Sequence, residues 1–579
     1  MAWRRWYSLQ NYIIKYIHKL GLSEDKFFFL ITIVIGAVCG LVAVSFHMLI
    51  EYLFNNVFEL KNASNTAYLK LILTPTLGCL VCGVLLHFFF PQARGSGIPQ
   101  LKASLFARCG RMSIKNTIAK FFLSALSIGT GSSVGREGPT VYITGGLASF
   151  IGKTFYLSAE KIKALVPVGA AAGLAAAFNT PLAAVTFTIE EIVGNFNTKI
   201  LGSAVLAAVA AAAVERSILG NHPIFEVPPY ALISVWEFGF YLVLGIAAGF
   251  VSLFFINALL GIRKLLKLRL PVWSLPLQPM IGGLCIGLMA LVSPKIMGIG
   301  YDTVEDVLNG NLVFYMVVLL LIMKVFATVV SYSTGTAGGI FAPSLFIGAM
   351  LGGFMGYLFQ IIAPGFVASP GAYALVGMGA VFSGIIRAPM TSVIIIFEMT
   401  HDYSIILPLM ISNLISYAIS QKFHKVPIYN ALSMQDGCHI PSHEQEEELK
   451  HFVAEDAMNI HFESMNYDLS VVVATKDFDL KFSYYPVLDR FGDLLGMVSS
   501  DKIKEEFVKH HYQKKIAKIA NRDLSIHAHP DQSLEFLMHT MHENHVHTIP
   551  IVDREDTKKL IGIVSKSDIL HIYGLDTEY

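Results

Sequence analysis

Hydrophobic positions along this 579-residue chain come in long, nearly unbroken runs up to about residue 422. Residues 27–50 contain no Lys, Arg, Asp or Glu, and neither do residues 71–93. Roughly 20 apolar residues in a helix cross a bilayer, so the pattern predicts spanning helices at about 27–56 and 68–90, with more to follow. Three later runs are interrupted alike, by a glycine, a short linker and a proline ahead of an apolar helix. They begin at Gly95, Gly135 and Gly339. The pattern then changes. Residues 433–452, with Asp436, Pro441 and an acidic run at 444–448, read as a solvated linker. Beyond them the composition is that of a soluble α/β domain, with the β-branched run 469–473 predicted as a short strand.

Both parts repeat internally. Gly135-Arg136-Glu137-Gly138-Pro139 and the four residues after it match Gly339-Ile340-Phe341-Ala342-Pro343 and its sequel at an offset of 204 residues. Gly169, Pro181 and Glu190 match Gly377, Pro389 and Glu398 at an offset of 208. The duplication divides the membrane part into halves at about 27–217 and 230–425. In the tail, Tyr485-Pro486-Val487-Leu488-Asp489 and Gly496-Met497-Val498-Ser499 recur as Ile549-Pro550-Ile551-Val552-Asp553 and Gly562-Ile563-Val564-Ser565. Repeated halves with broken helices are the sequence pointer to a transport site near the bilayer midplane, with helix N-termini aimed at an anion.

Composition agrees with this division: 54% of residues are hydrophobic and only 15% charged, against about 25% charged in soluble domains. Arg4, Arg5, Lys15 and Lys19 precede the first apolar run, so residues 1–26 read as a basic cytoplasmic helix rather than a cleaved signal. Arg263, Lys264, Lys267 and Arg269 mark another cytoplasmic loop. A net charge of +1 gives no reason to expect a nucleic-acid partner. Cys79 and Cys82 form a lone CxxC in an apolar run, which argues for small core side chains and no metal. No P-loop, HExxH or nucleophile–His–acid set points to an enzyme.

Glu137 is the residue this pattern most needs to explain. Pro139 predicts a helix start at that point, and a helix N-terminus attracts anions. Here the chain supplies one of its own, inside a membrane, where an ionisable residue is functional by default.

GSGIP at 95–99, GREGP at 135–139, GGIFAP at 338–343 and PIYNAL at 427–432, in that order, resemble the CLC family of chloride channels and chloride/proton antiporters. The tail is similar to a pair of CBS domains, at 453–512 and 513–579. The resemblance implies a CLC-like membrane domain over 27–432 with an inverted repeat, in a homodimer whose subunits each hold an anion pathway. It further implies that Glu137 is the gate, blocking the pathway when ionised and swinging away when protonated. Ser96, Tyr429 and the main-chain N–H groups of Ile340 and Phe341 would bind chloride, and Glu191 would relay protons from the cytoplasmic side. Its presence favours antiport over a passive channel of the same fold, and Glu190 beside it is expected to matter less. Ser565 and Asp568 fall in the CBS motif that meets adenine nucleotides, so a nucleotide at the CBS pair is expected and no other cofactor. The setting expected is a bacterial inner membrane with the CBS domains in the cytoplasm. A membrane-anchored nucleotide sensor is the remaining alternative.

Overall fold

The apolar runs fold as helices of bilayer length. Seven helices among the described residues are long and apolar enough to cross a membrane, Glu237–Arg269 among them. The computed structural model describes residues 24–572 apart from 59–64, 108–109, 156, 195–197, 221–222, 229, 231–232, 438–451, 479, 481, 483, 522–525 and 545. The expected helix over 1–26 therefore lies outside the described residues except for its end, which forms the first turn of the first membrane helix. The same holds for most of the linker.

The first of two compact units ends at Ile440. Its first half contains α1 (Glu24–Phe58), α2 (Asn65–Phe88), α3 (Ile98–Ala107), α4 (Ile114–Gly129), α5 (Glu137–Thr154), α6 (Ala159–Phe178), α7 (Pro181–Phe187) and α8 (Thr198–Leu219). The second half repeats that order with α9 (Glu237–Arg269), α10 (Gln278–Ala290), α11 (Tyr301–Leu308), α12 (Phe314–Ser333), α13 (Phe341–Ile362), α14 (Pro370–Ile386), α15 (Pro389–Thr400) and α16 (Ile406–Phe423). A further short helix, α17, covers Ile428–Gln435.

Equivalent elements meet each other. Helix α2 packs on its counterpart α10, and α7 on α15. A Cβ on Gly287 of α10 would stand 2.7 Å from the Ile72 Cα, so only glycine permits that approach. Gly135 and Gly339 exchange two backbone hydrogen bonds, each 2.7 Å long. A contact of a residue with its own repeat mate, returned in kind, is what a two-fold axis produces. The halves are thus related as an inverted repeat, and the two Gly-to-Pro loops lie on its axis.

The second unit, 441–579, contains two similar halves. One has β1 (Met465–Asn466) parallel to β2 (Tyr484–Leu488), which pairs antiparallel with β3 (Leu494–Ser499). The other has the antiparallel pair β4 (Thr548–Val552) and β5 (Leu560–Ser565). Both hairpins carry a register shift at the same place, Val487/Leu488 and Ile551/Val552. The cores exchange segments: Ala454 and Ala457 pack with Ile549 and Val564, whereas Ile516 and Ile519 pack with Val487 and Val498. The run 469–473 is not a strand. Ser470 precedes a helix over Val471–Asp477 that buries Val471 and Ala474, one turn apart. Packing on one face overrides the preference of β-branched residues for strands.

Candidate functional site

Four helices begin around the axis, one more than the sequence pattern foresaw. Helix α5 starts at Glu137 and α13 at Phe341. The expected start at Pro139 is thus two residues late. Proline is tolerated throughout the first turn, where N–H groups have no intrahelical acceptor. Helix α3 follows Gly95-Ser96-Gly97, with φ of 72° and 99° at its two glycines. The missed start is α11, which follows Gly298-Ile299-Gly300 with φ of 60° and 84° at the glycines. It lacks a proline, so the glycine–linker–proline signal passed it by.

Glu137 is fully buried. Its Oε2 accepts a hydrogen bond from the Ala342 amide at 3.3 Å, so the carboxylate reaches across the axis and caps the other half's helix. Its Oε1 accepts from the Tyr301 hydroxyl at 2.6 Å, and the Arg136 Nε lies 4.0 Å away. Arg136 also donates to the Ala177 carbonyl at 3.3 Å. The carboxylate therefore occupies the position a free anion would take at the start of α13.

The Ser96 and Tyr429 hydroxyls are buried and have no hydrogen-bond partner in the protein, which an anion between them would supply. They lie within electrostatic range of one another, and Tyr429 is also in range of Glu137 and Glu191. Gly138 makes room for the serine: a Cβ there would overlap the Ser96 Oγ and stand 2.9 Å from the Ser96 carbonyl oxygen. Ile340 and Phe341 present their amides at the start of α13. The Phe341 side chain matters more than expected, because its ring packs against Phe178, Phe187 and Phe382 at 5.1, 5.6 and 4.5 Å between centroids.

Glu190 and Glu191 go separate ways from a π-helical turn over Thr188–Val193, a feature often found at functional sites. Glu190 accepts from the Met390 and Thr391 amides at 3.2 and 2.8 Å, while its repeat mate Glu398 accepts from the Leu182 and Ala183 amides at 3.1 and 2.7 Å. These reciprocal helix caps give Glu190 a firm structural role. Glu191 is buried and pairs with Lys102 of α3, Nζ to Oε1 at 2.8 Å. One turn into the helix that begins beside Ser96, Lys102 therefore reaches the carboxylate expected to carry protons.

Two further cations are buried near the site. Lys120 and Lys324, 204 residues apart and thus repeat mates, are both fully buried. Lys120 donates to the carbonyls of Ala93, at 2.9 Å, and of Gly95. Lys324 donates to those of Ile296, Gly298 and Ile299 at 3.1, 3.0 and 3.3 Å. It does not snorkel; each lysine clamps one Gly-x-Gly loop. Their equal spacing was the signal that could have found them.

In the tail, Ser565 and Asp568 satisfy each other: the Ser565 Oγ and amide donate to Asp568 Oδ2 at 2.6 and 2.8 Å. They cap the helix Lys566–Ile572. A cleft between the two halves of this unit is lined by Tyr484, Gly496, His527, Thr548, Pro550 and Thr557, among others. Ser565 and Asp568 are not among its lining residues.

Residues 78–421 match the family model for voltage gated chloride channels, and residues 516–574 match that for CBS domains. The H(+)/Cl(−) exchange transporter ClcA of Vibrio cholerae is 32% identical over 425 residues, spanning 71% of this chain and 90% of that protein. A putative chloride channel protein, ClcB-like, of Ralstonia nicotianae is 32% identical over 363 residues, or 62% of this chain and 84% of that one. Among solved structures, a slow cyanobacterial Cl−/H+ antiporter superposes with a TM-score of 0.65 at 27% identity, covering 72% of this chain and 98% of its own. A eukaryotic CLC transporter shares the fold over 93% of this chain and 97% of its own, with a TM-score of 0.67 at 22% identity. The chain belongs to the voltage-gated chloride channel (CLC) family.

Proposed function

We propose that this protein is a secondary active transporter that exchanges chloride for protons across a membrane. The observation that carries this reading is the Glu137 carboxylate on the Ala342 amide. A tethered anion in an anion's place must leave before chloride can pass, and protonation is what removes its charge. Chloride would then sit between Ser96, Tyr429 and the Ile340 and Phe341 amides. Hydroxyls and amides hold an anion without a full opposing charge, so binding stays weak enough for release. Glu191, reached from the cytoplasmic side, would pass protons toward Glu137.

The decisive experiment is proton uptake driven by a chloride gradient in liposomes holding the purified protein. Proton movement against its own gradient is expected, and its absence would refute exchange. Glu137→Gln and Glu191→Gln should each keep anion flux and lose proton movement; coupling that survives either change removes that residue from its role. One observation favours a second reading, a passive chloride channel. Lys102 holds Glu191 in an ion pair, and a pinned relay carries protons poorly.

A homodimer fits the exposed apolar side chains of Leu182, Val209, Met390, Leu407 and Leu414 on α7, α8, α15 and α16. A cytoplasmic CBS tail, in a bacterial inner membrane, fits the basic end of α9, where Arg263 and Lys267 pair with Asp436 at 2.6 and 3.2 Å just after α17. An adenine nucleotide held by Ser565 and Asp568, once their mutual hydrogen bonds open, would let the tail regulate transport.

A further inference from the structure

Glu137 has a partner that an anion site does not require, the hydroxyl of Tyr301 at 2.6 Å. Hydroxyl-to-carboxylate bonds this short are charge-assisted and about twice as strong as neutral ones. The tyrosine is held independently of the carboxylate. Its ring packs edge-on against Phe225 at 5.6 Å and tilted against Phe178 at 6.4 Å. The Arg136 guanidinium covers its face at 5.7 Å. Behind it, the Lys324 ammonium grips the loop through the Ile296, Gly298 and Ile299 carbonyls. The donor is therefore in place whether or not Glu137 is.

The repeat shows how far this loop has departed from its mate. Gly95-Ser96-Gly97-Ile98 corresponds to Gly298-Ile299-Gly300-Tyr301. One loop offers a hydroxyl between its glycines, without a protein partner. The other has Ile299 there and offers its hydroxyl two residues later, from Tyr301 to the tethered carboxylate.

We propose that Tyr301 is the latch of the Glu137 gate, a positioning residue that holds the carboxylate on the Ala342 amide and sets how readily chloride displaces it. The inference rests on the reading of Glu137 as the gate. Carboxylate and chloride compete for one set of amides, so weakening the tether strengthens apparent chloride binding.

Tyr301→Phe removes the hydroxyl and keeps the ring contacts with Phe178 and Phe225. Isothermal titration calorimetry of chloride into the purified full-length protein should show binding about tenfold tighter in Tyr301→Phe than in the wild type, the size expected for losing a hydrogen bond to a charged group. In Glu137→Gln, which carries no carboxylate, adding Tyr301→Phe should change chloride affinity by less than about twofold. Unchanged or weaker binding in the single variant overturns the latch, and so does an equal shift in both backgrounds, which a merely structural role would produce. Proton coupling measured on the same samples separates the two ideas. If Glu137→Gln stays coupled, the gate reading fails and takes the latch with it; if it uncouples while Tyr301→Phe binds chloride as the wild type does, only the latch fails.

Discussion

Lys102→Met tests the inner end of the proton route. The Lys102 Nζ lies 2.8 Å from Glu191 Oε1, and both residues are buried. At that separation and an effective dielectric near 20, unit charges attract by about 6 kcal/mol. Desolvating the two groups offsets most of this. A remainder of only ~1.4 kcal/mol still shifts the balance between ionised and protonated carboxylate tenfold. In the proposed role Glu191 must spend part of each cycle protonated, so the lysine would slow it. Methionine fills a similar volume without the charge, and the chloride gradient should then drive proton uptake into liposomes about tenfold faster. The same change in Glu191→Gln should add nothing, because no carboxylate remains to be released. Proton flux that stays level or falls in Lys102→Met refutes the reasoning, as does a gain that persists in Glu191→Gln. In either case the ion pair would be a structural strut of α3, and the slow proton step would lie elsewhere.

Other perturbations probe other links. Gly138→Ala should weaken chloride binding about tenfold in calorimetry, because its Cβ overlaps the Ser96 Oγ and forces the hydroxyl away, at a cost near that of one hydrogen bond to an ion; wild-type affinity would show that Ser96 is not a ligand. Glu190→Ala removes the acceptor of the Met390 and Thr391 amides, a loss of roughly 1–2 kcal/mol for a cap, and should lower the detergent-solubilised melting temperature while leaving proton coupling intact. Loss of coupling in that variant would assign Glu190 a transport role. In the tail, hydrogen bonds from Lys514 and His511 at 2.9 and 2.7 Å draw the Glu506 carboxyl down to about 2 from its usual 4.5. Its stabilising effect is complete above the unfolded-state value and is lost as pH falls through the folded one. The melting difference between wild type and Glu506→Gln should therefore shrink between pH 4.5 and pH 2; a constant difference would exclude this linkage.

Features carried by one stretch of chain were legible in the sequence. A buried carboxylate between glycines and ahead of a proline announces itself, and so do apolar runs of bilayer length. The duplication was legible too, because it kept Gly135 and Gly339 in register. Partnerships across the fold were not. Tyr301 meets Glu137 over 164 residues, and Lys102 meets Glu191 over 89; neither pair leaves a periodic or compositional trace. Ser96 and Tyr429 could be singled out only through the family resemblance, since an isolated hydroxyl more often caps a helix or anchors an interface. The strand predicted over 469–473 failed because propensity reports local preference, while the core around Tyr485 and Val487 needed a helical face. Lys324 is the instructive case. Its repeat mate was visible at the same offset, but a lysine with no acid nearby reads as snorkelling until its carbonyl partners are seen.

If Glu137 is the gate proposed above, the two-fold axis explains how one glutamate would control the whole pathway. A symmetric site would present the same amides from both halves and hold an anion equally from either side, which is a binding site and not a gate. The backbone keeps that symmetry: Gly135 and Gly339 exchange equal hydrogen bonds, and Lys120 and Lys324 clamp equivalent loops. The side chains break it. At the first position of α5 stands Glu137 and at that of α13 stands Phe341, so one half supplies a tethered anion and the other the amide that receives it. The loops divide the same way, with Ser96 on one and Tyr301 on the other. Lysines buried against carbonyls fix the loops, so the carboxylate is the part left to move. Removing the titratable group at that one point, with Glu137→Gln, should therefore leave the anion pathway intact and abolish its dependence on protons, which anion flux measured across a pH series would show directly.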